Sequence, residues 1–275
     1  MLGKLYLVAT PIGNLEDITY RAINILKEVD IIAAEDTRHT LKLLNCYEIS
    51  KPLISYHRHN EEIKSNLLIN KLLEGQNIAI VTDAGTPGIS DPGEEIVKEA
   101  IKNNIDIIPI PGACALINAL IPSGLNTSQF AFYGFLPLNK KNRENIILKI
   151  KKEDKTVILY EAPHKLIKTL EDILESIGDI NCVIAKELTK IHEQFIRGNI
   201  SEVVNKFNQE EIKGEYIILL DLNNNSPMDE LDINNKTIEE QYKIYEKQGM
   251  TKKDIIKQIA KNKKVPKNEI YKYFI

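Results

Sequence analysis

Residues 81–93 read Val-Thr-Asp-Ala-Gly-Thr-Pro-Gly-Ile-Ser-Asp-Pro-Gly, three glycines and two prolines in thirteen positions. A short apolar run at 77–81 precedes them and a segment of helical spacing at 94–102 follows, so the stretch is a strand-to-helix loop. Proline fixes φ, and glycine admits backbone angles and close approaches that other residues refuse, so this loop's path is strongly prescribed. Loops at the carboxyl ends of parallel strands are where open α/β sheets receive ligands. A Gly/Pro-rich turn that binds nothing is the alternative local reading.

The same grammar recurs on both sides. The run 4–9 leads through Thr10-Pro11-Ile12-Gly13-Asn14 into helical spacing over 15–29, with Ile18, Ala22, Ile25 and Leu26 on one face. The run 31–34 ends in Glu35-Asp36-Thr37-Arg38-His39, which is either a helix cap by Asp36 or Thr37 with solvated neighbours or a working set of ionisable groups. The run 52–56 ends in Tyr56-His57-Arg58-His59-Asn60-Glu61, with Asn60 the expected cap of a helix through Leu73. Its histidines and arginine suit a phosphate or a proton, while no ligand spacing for a metal follows. The run 105–110 leads through Pro111-Gly112-Ala113-Cys114-Ala115 into an apolar helix over 116–121. Small residues there let a flat ligand lie against the backbone, whereas Cys114 as a nucleophile has no base nearby in sequence.

Beyond Gly124 the regular alternation stops. Strands are expected at 129–136, 156–161, 181–188, 193–197 and 215–220, with helices at 139–152, 164–176 and 201–207. That pattern is a second α+β unit with antiparallel pairings. A polar linker at 223–227 leads to three short helical patterns at 237–248, 251–261 and 266–274. Gly249 ends the first, Thr251 with Asp254 caps the second and Pro266 opens the third. The expected division is an N-terminal α/β domain at 1–118, a C-terminal α+β domain at 119–224, and a linker with a small helix-turn-helix-like module at 225–275.

A chain of 275 residues, 43% apolar and 27% charged, is of ordinary globular composition and long enough for two domains. No basic segment followed by an apolar run opens it, so no secretion signal is expected. Its most apolar stretch, 105–122, contains Asp106, Asn118 and three prolines, which argues against a membrane span. Three scattered cysteines suit a reducing cytoplasm better than a disulfide framework. The net charge of −3 is uneven: residues 247–275 carry nine lysines against Asp254 and Glu269. That local excess suits a polyanion, or is simply a lysine-rich soluble end. With no arginine in the module, phosphate contact is expected rather than base readout.

Taken together, the loops form an ordered set: Ala9-Thr10-Pro11-Ile12-Gly13-Asn14-Leu15, Glu35-Asp36-Thr37-Arg38, Tyr56-His57-Arg58-His59-Asn60-Glu61, Asp83-Ala84-Gly85-Thr86-Pro87, Asp91-Pro92-Gly93 and Pro111-Gly112. Tyr133-Gly134-Phe135-Leu136-Pro137, Tyr160-Glu161-Ala162-Pro163-His164, Lys186-Glu187-Leu188-Thr189-Lys190 and Gly214-Glu215-Tyr216 continue it. Over essentially its whole length the chain resembles the tetrapyrrole methylase superfamily, in its branch of small-subunit ribosomal RNA methyltransferases I. The resemblance implies two α/β domains with S-adenosylmethionine folded into the cleft between them, usually in a homodimer. It also implies methyl transfer to the ribose 2′-hydroxyl of a cytidine in the decoding region of 16S rRNA. Where the wider superfamily has Gly-Asp-Pro, this chain has Gly85-Thr86-Pro87, which favours the RNA branch. By the same correspondence Pro11, Asp83, Gly85, Thr86, Ile89, Cys114, Ala115, Tyr133 and Ala162 are the expected cofactor-binding residues.

A 2′-hydroxyl is weakly acidic, so an acceptor for its proton is expected beside the methyl donor. Glu35, Asp36 and His57 are the candidates, with Glu161 and Glu187 competing, while Arg38 and Arg58 are expected to hold phosphates of the RNA. Arg21, Arg143 and the lysine-rich tail are further basic candidates. A methylase of a small tetrapyrrole-like acceptor and a non-enzymatic nucleic-acid binder are the other classes compatible with the sequence. The first has little use for a basic appendage, and the second leaves the glycine-bearing loops without a purpose.

Overall fold

The five apolar runs of the first half become the strands of one parallel sheet: β1 (Leu5–Val8), β2 (Ile31–Ala34), β3 (Leu53–Ser55), β4 (Ile78–Val81) and β5 (Ile107–Ile110). Their order is β3-β2-β4-β1-β5, with every neighbouring pair parallel. β2 and β4 are buried throughout, as runs covered on both faces must be. This is a computed structural model describing residues 1–223, 237–247, 250–263 and 265–274.

Helices cover the sheet in two pairs. Ala22 and Leu26 of α1 (Tyr20–Glu28) and Leu44 of α2 (Thr37–Cys46) pack on one face with Val8, Ile32 and Val81. Leu68 and Leu72 of α3 (Glu61–Leu73) and Ile96 of α4 (Glu94–Lys102) pack on the other with Leu5, Ile78 and Ile80. Right-handed crossovers require this: β1 to β2 to β3 winds one way, β3 to β4 to β5 the other. The connections leaving β1 and β4, which are adjacent, therefore diverge to opposite faces. The crevice between those two strand ends is the sheet's topological switch point.

Local chemistry sets the helix starts, and two differ from expectation. The helix expected over 15–29 divides into a 3₁₀ turn, Leu15–Asp17, and α1, because Ile18 is extended and the Thr19 hydroxyl caps α1 by accepting from Ala22 N at 3.1 Å. Asn60 does not cap α3 with its side chain. Its amide oxygen accepts instead from His57 N at 2.9 Å, folding the loop back on itself.

The second unit is a sheet of order β6-β7-β10-β8-β9, made of β6 (Phe130–Phe135), β7 (Thr156–Glu161), β8 (Asn181–Lys186), β9 (Gln194–Asn199) and β10 (Tyr216–Asp221). Only β6 and β7 run parallel; the other pairs are antiparallel. α6 (Lys140–Ile150), α7 (Leu166–Ile177) and α8 (Ile200–Phe207) cover one face through Ile147, Leu170, Ile173, Val203 and Phe207. Arg143, a candidate RNA contact, is spent here: it pairs with Asp172 of α7 at 2.6 Å, both side chains mostly buried. The other face meets the first unit. α5 (Ala115–Leu120) lays Leu116, Ala119 and Leu120 against Ile158, Val183, Ile217 and Leu219. The expected boundary at 118/119 thus falls inside a helix that packs on the second sheet.

At the C-terminal end, α9 (Ile238–Lys247), α10 (Lys252–Lys263) and α11 (Lys267–Tyr271) share a small core of Tyr245, Ile255, Ile256, Ile259, Ala260 and Ile270. The Thr251 hydroxyl donates to the Asp254 carboxylate at 2.6 Å. Pro266 stands just before α11 rather than in its first turn. The boundary at 224/225, linker residues 224–227, Gln248 and Gly249 lie outside the described residues. No helix among the described residues is long and apolar enough to cross a membrane.

Candidate functional site

At the switch point the loops after β1 and β4 are stitched together. Thr10 N donates to Gly85 O at 2.9 Å, Gly85 N returns the bond at 3.1 Å, and the Thr10 hydroxyl reaches Thr82 O at 3.2 Å. Gly85 has φ +91°, a left-handed backbone that carries strain for a side-chain-bearing residue. The Thr86 hydroxyl then donates to Ala113 O at 3.1 Å, tying in the loop after β5. From the second unit, the Tyr160 hydroxyl oxygen accepts from Leu116 N at 3.1 Å, fixing the start of α5. Phe132 and Phe135 meet the Tyr160 ring edge-on at 4.9 and 5.6 Å.

These ties enclose a cleft of about 350 Å³ between the two sheets. Ile12, Gly85, Thr86, Ile89, Asp91, Cys114 and Ala115 line it from the first unit and α5; Phe135, Tyr160, Glu161, Ala162, Leu188 and Ile217 line it from the second. A mostly apolar cavity of that size with a few polar groups suits a drug-sized ligand. Among the described residues no group of His, Cys, Asp and Glu side chains could hold a metal ion.

Six of the nine expected cofactor residues stand in this wall: Gly85, Thr86, Ile89, Cys114, Ala115 and Ala162. Pro11 is buried beside it, with its neighbour Ile12 in the wall instead. Asp83 lies behind the wall, its carboxylate accepting from Asp36 N at 3.1 Å. Tyr133 is turned away. β6 shifts register between Phe132 and Gly134, and the bulge at Tyr133 sends its side chain to the helical face, where its hydroxyl donates to Glu153 at 2.5 Å. Burial, and then the Glu153 carboxylate, push the Tyr133 hydroxyl up to about 12.

The expected proton acceptors separate in the same way. Asp36 caps α2, accepting from Arg38 N at 2.8 Å, and its carboxylate forks onto the Arg38 guanidinium at 2.7 and 3.1 Å. Arg38 thereby holds that carboxyl well below the usual carboxylate range. His57 has Nε2 against the Asn60 amide at 3.2 Å and Nδ1 buried with no partner among the described residues. Glu161 is buried, with Oε1 accepting from Ala162 N and Oε2 from the Thr169 hydroxyl at 2.6 Å. Burial raises Glu187, but the Lys190 ammonium at 2.9 Å and the Glu215 N–H outweigh it and leave that carboxyl below its ordinary value.

Glu35 is brought into a different company. Burial raises its carboxyl, and the charge of Asp83 adds to the effect. Asp91 joins them from the loop after β4, lining the cleft, pushed up to about 6 by burial and by the charges of Glu35 and Asp83, with Arg58 opposing. In the sequence Asp91 stands only as part of the Asp91-Pro92-Gly93 loop, whereas Glu35, Arg58 and Asp83, which act on it, come from three different strand ends.

The raised Asp91 carboxyl has a stability consequence of definite sign. The folded chain binds that proton more tightly than the unfolded chain, so ionising Asp91 costs stability as pH rises through the ordinary carboxylate value to about 6. Asp91→Asn is therefore expected to stabilise the protein by about 1 kcal/mol, after discounting for solvent screening, at about pH 8, raising Tm by about 2–4 °C with little change at about pH 4. Thermal unfolding at the two pH values checks it.

The model of the tetrapyrrole (corrin/porphyrin) methylases matches residues 4–204. The chain is 48% identical over 272 residues to the ribosomal RNA small subunit methyltransferase I of Bacillus subtilis, covering 98% of this chain and 93% of that protein. It is 47% identical over 219 residues to the Thermotoga maritima protein of the same name, 80% of this chain and 98% of that one. Among solved structures, diphthine synthase superposes with a TM-score of 0.63 at 16% identity, over 79% of this chain and 90% of that one. A uroporphyrin-III C-methyl transferase from Thermus thermophilus, complexed with S-adenosyl homocysteine, gives 0.56 at 17% identity, over 79% and 97%.

Proposed function

Because the chain belongs to the tetrapyrrole methylase family, in its branch of ribosomal RNA small subunit methyltransferases I, we propose that it methylates 16S rRNA with S-adenosylmethionine. The position is the ribose 2′-oxygen of a cytidine in the decoding region. The observation that supports this most is the cleft at the switch point, whose wall carries six of the nine residues expected to hold the methyl donor. Bound there, the donor supplies a methyl group on a sulfonium sulfur, a good leaving group. The chain's own contribution is to orient, exclude water and place a proton acceptor. Ile12, Ile89, Leu188 and Ile217 give the donor a dry wall, and Gly85 and Ala115 leave the backbone within reach.

The acceptor nucleotide enters past Asp91. Glu35, whose charge acts on Asp91, and His57, whose charge acts on Glu35, orient the hydroxyl, and Asp36 acts by fixing Arg38. Arg38, exposed, and Arg58 hold phosphates. The C-terminal module adds exposed Lys252, Lys253, Lys257, Lys261, Lys267 and Lys272 for the same backbone. The protein works in the cytoplasm as a homodimer; exposed Ile117, Ile121 and Ile191, near a shallow groove, offer apolar surface for a second copy.

Incubation with labelled S-adenosylmethionine and, in turn, small ribosomal subunits, naked 16S rRNA or a corrinoid tests this reading. Label is expected in RNA and at a cytidine whose linkage resists alkali, because a methylated 2′-oxygen no longer attacks the adjacent phosphate. Label in the corrinoid, or in no acceptor, contradicts it.

A further inference from the structure

The C-terminal module carries two aromatic side chains that neither its core nor the cleft uses. Its other apolar residues turn inward: Ile270 is buried with Ile255, Ile256 and Ile259, and the Phe274 ring lies against that of Tyr242 with centroids 4.4 Å apart. Tyr271, the last residue of α11, and Tyr273 stay outside, 45% and 64% exposed. Neither hydroxyl is hydrogen-bonded to any described residue. Rings that add nothing to the core and make no polar tie have surface to offer a partner.

Lysines frame the pair. Lys272 stands between the two tyrosines in the chain and Lys267 opens α11. Lys252 Nζ donates to Phe274 O at 3.2 Å, which brings the start of α10, with Lys253 next in the chain, against the same segment. All four lysines are exposed. The acids between 251 and 274 are Asp254, whose carboxylate accepts from the Thr251 hydroxyl, and Glu269. A polyanion suits such a patch, and the rings add a demand that phosphates alone do not make: a planar group with an open face. The module lies beyond residues 4–204, which match the methylases, so this surface is an addition to the shared unit.

We propose that the C-terminal module binds a single-stranded stretch of the RNA substrate, with Tyr271 and Tyr273 stacking on bases and Lys252, Lys253, Lys267 and Lys272 neutralising the neighbouring phosphates. The inference rests on the reading of the chain as acting on RNA, and it adds the strandedness of the segment held outside the cleft. In an A-form duplex the bases are stacked on one another and their faces are closed, so only an unpaired segment offers what the two rings take. Every base has a π-face, and with no arginine the module lacks a bidentate reader of base edges, so the contact is tolerant of sequence. Its use is tethering. A module that holds an unpaired segment raises the local concentration of RNA at the cleft without a new contact there.

Anisotropy of a labelled oligouridine of about 12 nucleotides, and of an RNA duplex of the same length, titrated with the full-length protein over a range of salt, tests this. The wild-type protein is expected to favour the single strand. Tyr271→Ala combined with Tyr273→Ala is expected to weaken oligouridine binding by about 30-fold with the salt slope unchanged, and duplex binding by less than about 2-fold. Lys252→Gln combined with Lys253→Gln is expected to lower the salt slope by about 1–2 for both probes. The chain has no tryptophan, so Tyr273→Trp supplies a single reporter in an otherwise unperturbed module. It is expected to keep wild-type affinity, with its fluorescence quenched as oligouridine stacks on it. An alanine variant that binds oligouridine as the wild type does, wild-type binding of duplex equal to that of single strand, or an unquenched tryptophan in the bound complex overturns the role of the tyrosine pair. A wild-type protein that quenches and binds as expected but methylates no RNA overturns the enzymatic reading alone and leaves the single-strand contact standing.

Discussion

Gly85→Val is expected to weaken binding of S-adenosylmethionine by about 100-fold, equivalent to roughly 2.7 kcal/mol, while leaving both sheets intact. The glycine sits at φ +91°, so any side chain there carries left-handed strain of about 1–2 kcal/mol. A Cβ would already lie 3.3 Å from Ile12 Cγ2 and 3.8 Å from Ala113 O, and the two further methyls of valine add bulk at a residue that lines the cleft. Gly85→Ala separates the two effects, since it carries the strain with little of the obstruction. Calorimetric titration of both variants checks this; a valine variant with wild-type affinity would show that the donor does not approach this part of the main chain.

Phe207→Ala is expected to cost about 3–5 kcal/mol of stability, the largest loss anticipated from one side chain outside the cleft. Phe207 ends α8, is 1% exposed and packs edge-to-face on Tyr216 with ring centroids 5.7 Å apart. Tyr216 opens β10, the middle strand of the second sheet, and lines the cleft. The truncation therefore leaves a void under a strand that also shapes the site. At about 2–4 °C of Tm per kcal/mol for a chain of this size, a fall of about 10 °C is expected. Donor affinity should weaken less than in Gly85→Val, because the cleft-facing groups remain. A Tm within about 2 °C of wild type would mean that the second sheet does not depend on α8.

What could be read from the chain and what could not divide along a physical line. The strands and the loops at their carboxyl ends were legible because apolar run, glycine, proline and cap are local signals, and a parallel order places such loops on one rim. The loops that carry Gly85, Thr86 and Ala115 could be placed on that rim for that reason, whereas the assignment of those residues to a cofactor came from the family resemblance. Tyr133 could not be placed, because a bulge at one residue of β6 exchanges its two faces and nothing nearby in sequence announces it. Asp36 carried two readings, and its geometry is that of a cap with an arginine clamp. Asp91 was hidden for the opposite reason: its local motif is that of a turn, and its chemistry depends on Glu35, Asp83 and Arg58 arriving from other strand ends. The wall from the second sheet, Tyr160, Leu188 and Ile217, follows from how α5 packs the two units together, a long-range fact that periodicity does not encode.

The crevice beyond β1 and β4, closed by the second sheet, is expected to hold the methyl donor. A crystal structure with S-adenosylhomocysteine bound decides it. The ligand is expected between the Gly85 and Ala115 backbone on one side and Ala162 and Ile217 on the other. A ligand seated elsewhere, with this cleft left empty, would contradict it.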